Sequence, residues 1–186
     1  LTKEESFSAT HRLESRDKQA ILRFHLGLWW RSQATLEKDS DPAYQKARSY
    51  FESCLTIFRQ QNRSDRVARF ILALADVLQK LEDWAALAQV ASEGTHLHHN
   101  DPARLARDYG YLAEVSLARY QQEPLAEYLS KGQGFAQQAL ETSEQVLQQY
   151  GQEAITPEKQ QLSSVDRENS LASRVALRYH RGCYFY

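Results

Sequence analysis

Residues 66–94 read RVARFILALADVLQKLEDWAALAQVASEG, and their apolar spacing predicts two helices joined by a tight turn at residues 81–84. Apolar or small side chains recur every three or four residues in both halves, as on the buried face of an amphipathic helix. They are Ile71, Leu74, Ala75 and Leu78 in the first helix, and Leu87, Ala91 and Gly94 in the second. The stretch therefore predicts a helical hairpin that buries one face of each helix.

The order of large and small residues in this hairpin resembles the tetratricopeptide (TPR) repeat family, in its long-period bacterial form. Its first helix follows the family's order large, Leu, small, large. The family's second helix follows small, large, small, and Leu87, Ala91 and Gly94 take those places here. The resemblance extends over about residues 20–150 and the terminal helix. It implies an all-α fold in which antiparallel helical hairpins stack as a TPR-like right-handed α-solenoid.

Internal self-similarity supports a repeat architecture. Residues 22–30, LRFHLGLWW, match residues 177–185, LRYHRGCYF, with the glycine kept. Repeats of this kind arise because each hairpin must bury its apolar face on the next one. The small residues Gly27, Ala75, Ala113 and Gly182 are 48, 38 and 69 residues apart, whereas the TPR period is about 34. Longer helices or insertions are expected to absorb the difference.

We divide the chain into four parts on these patterns. Residues 1–14 are interpreted as a flexible lead-in and residues 15–150 as the TPR-like repeats. Residues 151–165 are interpreted as a polar linker, and residues 166–186 as the start of a further repeat or a capping helix.

Several residues predict where individual helices begin, end or bend. Ser15 or Asp17 is expected to cap the first helix, and Asp41-Pro42 and Asp101-Pro102 each place a cap before a proline at the first helical position. We expect Gly94 to end its helix in the position after the C-cap. The pair Gly132 and Gly134 is expected to kink or split the helical segment that Pro124 starts.

Composition restricts the class of protein. The 186-residue chain has 42% hydrophobic and 25% charged residues, which are ordinary values for a globular protein. Its formal net charge of −1 gives no overall attraction to nucleic acid or anionic lipid. The sequence contains no apolar run long enough for a transmembrane helix, and its charged N-terminus is unlike a secretory signal. We therefore expect no membrane association and a cytoplasmic location, and we interpret the chain as a segment of a larger protein.

The TPR resemblance implies a concave groove lined by the first helix of each repeat. The residues that it places there, and that we expect to bind a partner, are Phe24, Leu28, Arg31, Arg69, Leu72, Asp76, Gln79, Arg107, Glu114 and Tyr179. This set is a mixed-charge surface with aromatic anchors, suited to a protein or peptide ligand. Acidic residues and a leucine stand where a chaperone-tail clamp would need Asn. The alternative is that these charges form salt bridges between helices.

Two other interaction classes stay open. Arg59, Arg63, Arg66 and Arg69 could form a basic ridge that contacts nucleic acid, although Asp65 and Asp76 lie nearby. The aromatic end Tyr184-Phe185-Tyr186 favours self-association through end helices into a homo-oligomer.

No motif indicates catalysis, a cofactor or a metal. The sequence contains no phosphate-binding loop, dinucleotide-binding glycine pattern or HExxH zinc motif. His96, His98 and His99 are predicted to lie in a solvated loop, because a short cluster without Cys partners is a weak metal signal. The sequence therefore predicts a non-catalytic protein–protein interaction module, a scaffold, adaptor or sensor segment.

Overall fold

The computed structural model describes residues 3–36 and 40–153, with side chains over 13–36 and 40–148. These residues form six helices and contain no strand, which confirms the predicted all-α class. The helices are α1 (Lys3–Ala34), α2 (Asp41–Gln60), α3 (Ser64–Lys80), α4 (Trp84–Leu97), α5 (Pro102–Gln122) and α6 (Ala126–Glu153).

The chain divides into two compact units, Leu1–Asp83 and Trp84–Tyr186. In the first unit, α1 packs on α2 and α2 packs on α3, with a smaller contact between α1 and α3. In the second unit, α4 packs on α5 and α5 packs on α6. Within each unit, helices that are consecutive in the sequence therefore pack against each other. The stretch Arg66–Gly94 contributes one helix to each unit.

The turns after α2 and after α3 have the same hydrogen-bond pattern. The N–H of Arg63 donates to the carbonyl of Phe58 at 2.9 Å, and the N–H of Asp83 donates to the carbonyl of Leu78 at 3.0 Å. Each bond spans five residues, as in a Schellman motif, whose residue after the C-cap adopts a left-handed conformation. Asn62 and Glu82 occupy that position, with φ of 54° and 53°. The tight turn that the sequence predicted at residues 81–84 is confirmed in place.

An aromatic cluster forms the centre of the first unit. The Phe24 and Phe70 ring centroids are 4.4 Å apart, and the Phe58 and Phe70 rings stack at 5.6 Å. Phe51 and Phe58 are at most 1% exposed, and full burial of such a side chain contributes roughly 1.5–3 kcal/mol. The small residue Gly27 lies against the ring of Phe51, where a Cβ would be 2.5 Å from the ring. Gly27 thus admits a neighbouring ring, rather than a neighbouring backbone.

Gly94 does not end its helix, and this prediction is wrong. Helix α4 continues through Gly94 to Leu97. Gly94 is buried because the Asp108 carboxylate of α5 lies against it, 2.2 Å from where a Cβ would be. The glycine is therefore selected by a close side-chain approach inside the helix. The spacing of glycine in the sequence does not distinguish a helix end from a position of close approach inside a helix.

Two further helix boundaries differ from the sequence prediction. Helix α1 begins at Lys3, well before the predicted start at Ser15 or Asp17. Helix α6 runs without a break through Gly132 and Gly134. Each glycine costs about 1 kcal/mol in a helix interior, and the buried residues Ala136, Ala139 and Val146 on the same helix offset that cost.

The remaining boundaries agree closely. Helix α5 begins at Pro102, and the side chain of Asp101 accepts a hydrogen bond from the Arg104 N–H at 3.2 Å, as a cap does. Helix α2 carries Pro42 in its first turn, but its cap position is Ser40 rather than Asp41. Residues 154–186, which include most of the predicted linker and the terminal segment, lie outside the described residues.

Candidate interaction surfaces

In the first unit, several of the predicted groove residues take part in internal packing. Phe24 belongs to the aromatic cluster, and Leu72 is only 8% exposed. Leu28 and Gln79 are half-buried. Arg69 is exposed, with its guanidinium 5.8 Å from the centre of the Phe70 ring.

Arg31 and Asp76 form an ion pair across α1 and α3. The Arg31 Nη1 donates to Asp76 Oδ2 at 3.1 Å, and each side chain is about one third exposed (37% and 32%). Such a pair contributes at most about 1 kcal/mol to stability. A ligand carboxylate that bound Arg31 would have to compete with Asp76 for the same guanidinium.

In the second unit, Arg107 and Glu114 are half-buried on α5. Arg107 Nη2 donates to the Tyr111 hydroxyl at 3.1 Å, and its guanidinium lies 6.0 Å from the centre of that ring. Tyr179, the last predicted groove residue, lies outside the described residues. The use of these side chains by a partner stays a prediction.

The predicted basic ridge is interleaved with acidic side chains. Arg63 donates from Nε to Asp65 at 3.0 Å and from Nη1 to Asp17 at 3.2 Å. Arg66 Nε lies 3.8 Å from the Asp65 carboxylate. The hydrogen bond from Arg63 holds the pKa of exposed Asp65 below its usual value. These contacts reduce the positive potential that a phosphate backbone would meet.

A stripe of exposed apolar side chains runs along α1, on the side that faces away from α2. It consists of Leu22 (61% exposed), Leu26 (37%), Trp29 (52%) and Leu36 (79%). The spacings of four and three place Leu22, Leu26 and Trp29 on one side of a helix with 3.6 residues per turn, and Leu36 lies in the turn after α1 ends at Ala34. The side of α1 that packs inward carries Ala20, Gly27 and Ala34, all buried. We call these four exposed residues the outer stripe of α1.

Trp29 and Trp30 have different surroundings. The Lys46 ammonium lies 3.9 Å from the centre of the Trp30 ring, so this indole packs against α2. The Trp29 ring meets Trp30 edge-on, with 4.7 Å between centroids, and projects from the outer stripe. Trp30, which packs against α2, thus contacts the Trp29 ring and helps to hold it in place.

The groove prediction did not include the outer stripe, although its signal is present in the sequence. Leu22, Leu26 and Trp29 have helical spacing, and they lie opposite Phe24, Leu28 and Arg31 on the same helix. A helix that is apolar all round is expected to be covered on every side. The sequence alone could not show which side α2 and α3 leave open.

His98 corrects the predicted solvated loop. His98 and Asp108 are each 1% exposed, and His98 Nδ1 lies 2.6 Å from Asp108 Oδ2. Burial raises the pKa of the Asp108 carboxyl, against the opposing effect of its hydrogen bond with His98. His96 and His99 are exposed as predicted, but His96 lies in the last turn of α4 rather than in a loop. No cluster of three metal-binding side chains was found among the described residues. The His98–Asp108 contact therefore fastens the end of α4 to α5.

An open depression of about 360 Å³ lies in the second unit, between the start of α5 and the middle of α6. Several of its polar side chains already have partners. Asn100 Nδ2 lies 2.7 Å from His99 Nε2, and Glu141 accepts from Gln137 at 2.6 Å. These contacts occupy polar groups that would otherwise orient a small ligand.

None of the described helices is both long enough and apolar enough to cross a membrane. No protein-family model and no curated protein matches the chain. Among solved structures, the chain is similar to one described as "DHF79 filament", with a TM-score of 0.37 and 15% sequence identity. The match covers 93% of this chain and 87% of the other. A likeness at this level carries no information about fold family or assembly.

Proposed function

We propose that the chain is a non-catalytic protein–protein interaction module that binds a helical partner on the outer stripe of α1. We further propose that its helices belong to a TPR-like right-handed α-solenoid, which serves as a scaffold or adaptor segment of a larger cytoplasmic protein. Stacks of helical hairpins bury each apolar face on a neighbour. An open face at one end is therefore a natural docking surface for another helix.

The observation that carries the proposal is the exposure of four large apolar side chains, three along one side of α1 and Leu36 just after its end. Single exposed apolar residues are ordinary, whereas a contiguous apolar surface marks a site of interaction. A helix of the partner could lay its own apolar face along the stripe, with anchors at helical spacing.

The size of the stripe indicates a transient partner rather than a permanent one. If each side chain is weighted by its exposed fraction, full burial of the four would contribute roughly 3–7 kcal/mol. Association itself costs about 4–15 kcal/mol. The stripe alone therefore gives weak binding, and a stable complex needs further polar contacts. Two copies meeting only through this stripe would not form a tight dimer.

The groove surface remains a second part of the proposal. Arg69 is exposed, with its guanidinium beside the Phe70 ring, whereas Arg31 and Asp76 already neutralise each other. We therefore place the main contact on the outer stripe and a supporting contact near Arg69.

The test compares protein capture by three variants of the chain. Leu22→Glu/Trp29→Glu places two charges on the stripe, and both side chains are more than half exposed, so the fold should tolerate them. Gln45→Glu/Ser49→Glu places the same charges on exposed positions of α2, away from the stripe. The third variant is Arg69→Glu. Bound proteins from an extract of the source cells are quantified by mass spectrometry, and helix content is checked by circular dichroism.

The proposal predicts a protein that wild type and Gln45→Glu/Ser49→Glu retain, and whose capture falls at least tenfold in Leu22→Glu/Trp29→Glu. If the captured protein is lost only in Arg69→Glu, the partner binds at the groove residues and not at the outer stripe. Salt-sensitive capture of nucleic acid, abolished by Arg69→Glu, would replace the proposal with the basic-ridge alternative.

A further inference from the structure

The open depression in the second unit has an apolar wall and a polar wall. The apolar wall is on α5 and consists of Pro102, Leu105 and Tyr109. The polar wall is on α6 and consists of Gln138, Glu141 and Gln145. Spacings of three and four residues place each set on one side of its helix. We call this site the α5–α6 cleft, and it contains none of the residues that the TPR resemblance places in its groove.

We propose that the α5–α6 cleft binds an extended peptide segment of a partner protein, which carries a basic residue and an apolar residue. The basic side chain pairs with Glu141, and the apolar side chain packs on Leu105 and Tyr109. The peptide backbone forms hydrogen bonds with Gln138 and Gln145. The inference is independent of the proposed function, because that function concerns α1 in the first unit.

Contacts within the second unit hold the two walls in place. The Tyr109 and Phe135 rings stack with their centroids 6.4 Å apart, and this contact joins α5 to α6 beside the cleft. The Thr142 hydroxyl donates to the Gln138 carbonyl of its own helix at 2.7 Å, and Thr142 is only 8% exposed. The apolar wall is therefore formed before a ligand binds, as in most ligand sites of proteins.

The charge of Glu141 selects a basic ligand. Glu141 is exposed, and its Oε1 accepts from Gln137. A carboxylate has about four lone-pair sites, so Oε2 can still accept from a ligand. Arg104 on α5 is paired with Asp101, at 3.2 Å. A Lys or Arg of the peptide would form a charge-assisted hydrogen bond with Glu141, whereas an acidic peptide would be repelled.

The two glutamines of the polar wall favour an extended chain over a helix. Both are exposed, and each carboxamide offers a donor and an acceptor. An extended peptide has backbone N–H and C=O groups to pair with them, whereas a helix bonds these groups internally. Gln138 and Gln145 are seven residues apart, a helical rise of about 10 Å. About three residues of extended chain cover the same length.

The experiment selects peptides from a random heptapeptide library on the full-length chain. The same library is applied to Glu141→Lys, which reverses the charge of the cleft, and to Glu123→Lys as the matched control. Glu123 is exposed and follows the end of α5, about 20 Å along the helix axis from Tyr109. Enriched peptides are synthesised, and their binding is measured by fluorescence polarisation. Circular dichroism measures the helix content of each variant.

The proposal predicts that wild type and Glu123→Lys enrich the same peptides, with a Lys or Arg and an apolar residue. Glu141→Lys should weaken the binding of such a peptide at least about tenfold, because a hydrogen bond to a charged group is among the stronger ones. Gln138→Ala/Gln145→Ala keeps good helix formers at exposed positions. This double variant should weaken binding without changing which residues the peptides contain.

Three results would overturn the proposal. The first is that wild type enriches no basic peptides, and the second is that Glu141→Lys binds the enriched peptide as tightly as wild type does. The third is that Leu22→Glu/Trp29→Glu loses the peptide while Glu141→Lys retains it, because the peptide would then bind the outer stripe of α1.

Discussion

Glu82 and Asn62 perform the same backbone task with different side chains. Both have φ near +53° in a Schellman turn, a conformation that costs an ordinary L-residue roughly 1–2 kcal/mol. Asn tolerates it better than Glu, because its short polar side chain bonds locally. The residue at the left-handed position therefore sets the conformational free-energy cost of each turn between two helices.

Replacing Glu82 with glycine is expected to raise the free energy of unfolding by about 0.5–1 kcal/mol, since glycine adopts positive φ without a Cβ clash. Asn62→Gly is the matched change in the preceding turn and should gain less. Urea unfolding followed by circular dichroism measures both. A loss of stability in Glu82→Gly would mean that the turn does not hold its left-handed residue in solution.

At the scale of helices, small residues set which faces meet. Gly27 on α1 admits the Phe51 ring, and Gly94 on α4 admits the Asp108 carboxylate. Gly134 on α6, by contrast, has open space where a Cβ would be. All three glycines lie inside helical stretches of the sequence, so the sequence around them does not distinguish their roles. Their roles differ because a different neighbouring group, or none, lies beside each glycine.

Gly27→Ala and Gly134→Ala are therefore expected to have opposite effects. The first should lower the free energy of unfolding by about 1–3 kcal/mol, because Phe51 is fully buried and has to move. The second should raise it by about 0.5–1 kcal/mol, from better helix propensity in an open position. Denaturation midpoints measure both. The packing of α1 on α2 is contradicted if Gly27→Ala is as stable as wild type.

The buried contact between His98 and Asp108 also joins the end of α4 to α5. Asp108→Leu or His98→Leu leaves one buried polar group without this partner, which costs about 1–3 kcal/mol. The double variant should cost clearly less than the two single variants together. A double-mutant cycle from urea unfolding measures this coupling. Strict additivity would show that the two side chains do not interact in the folded protein.

The helices also show how much of the fold could be predicted from the sequence. Apolar spacing located α2 to α5 well, because their buried residues recur every three or four positions, as Ala47, Phe51 and Cys54 do. The roles of the glycines in α4 and α6 were predicted wrongly. A glycine can end a helix, allow a neighbouring group to approach closely, or face open space. Which of these applies depends on contacts with residues distant in the sequence. The start of α1 was missed because polar residues there form a helix without an apolar signal.

At the scale of the whole chain, the all-α class followed from composition and periodicity, whereas the interacting surface did not. The groove residues were chosen by analogy with a repeat family, and in the first unit Arg31 and Asp76 pair with each other instead of standing free. The exposure of Leu22 and Trp29 depends on which side of α1 its neighbours cover. That is a property of packing, which the sequence of α1 does not specify.

The central claim is that the outer stripe of α1 contacts a partner protein. Replacing Trp29 with photoreactive p-benzoylphenylalanine tests it most directly, with the same group at Arg69 on the groove side and at exposed Ser49 on α2 as the control. After irradiation in an extract of the source cells, the account predicts a discrete cross-linked protein from position 29 and none from position 49. Cross-links from position 69 alone, or from position 29 only to a second copy of this chain, would contradict it.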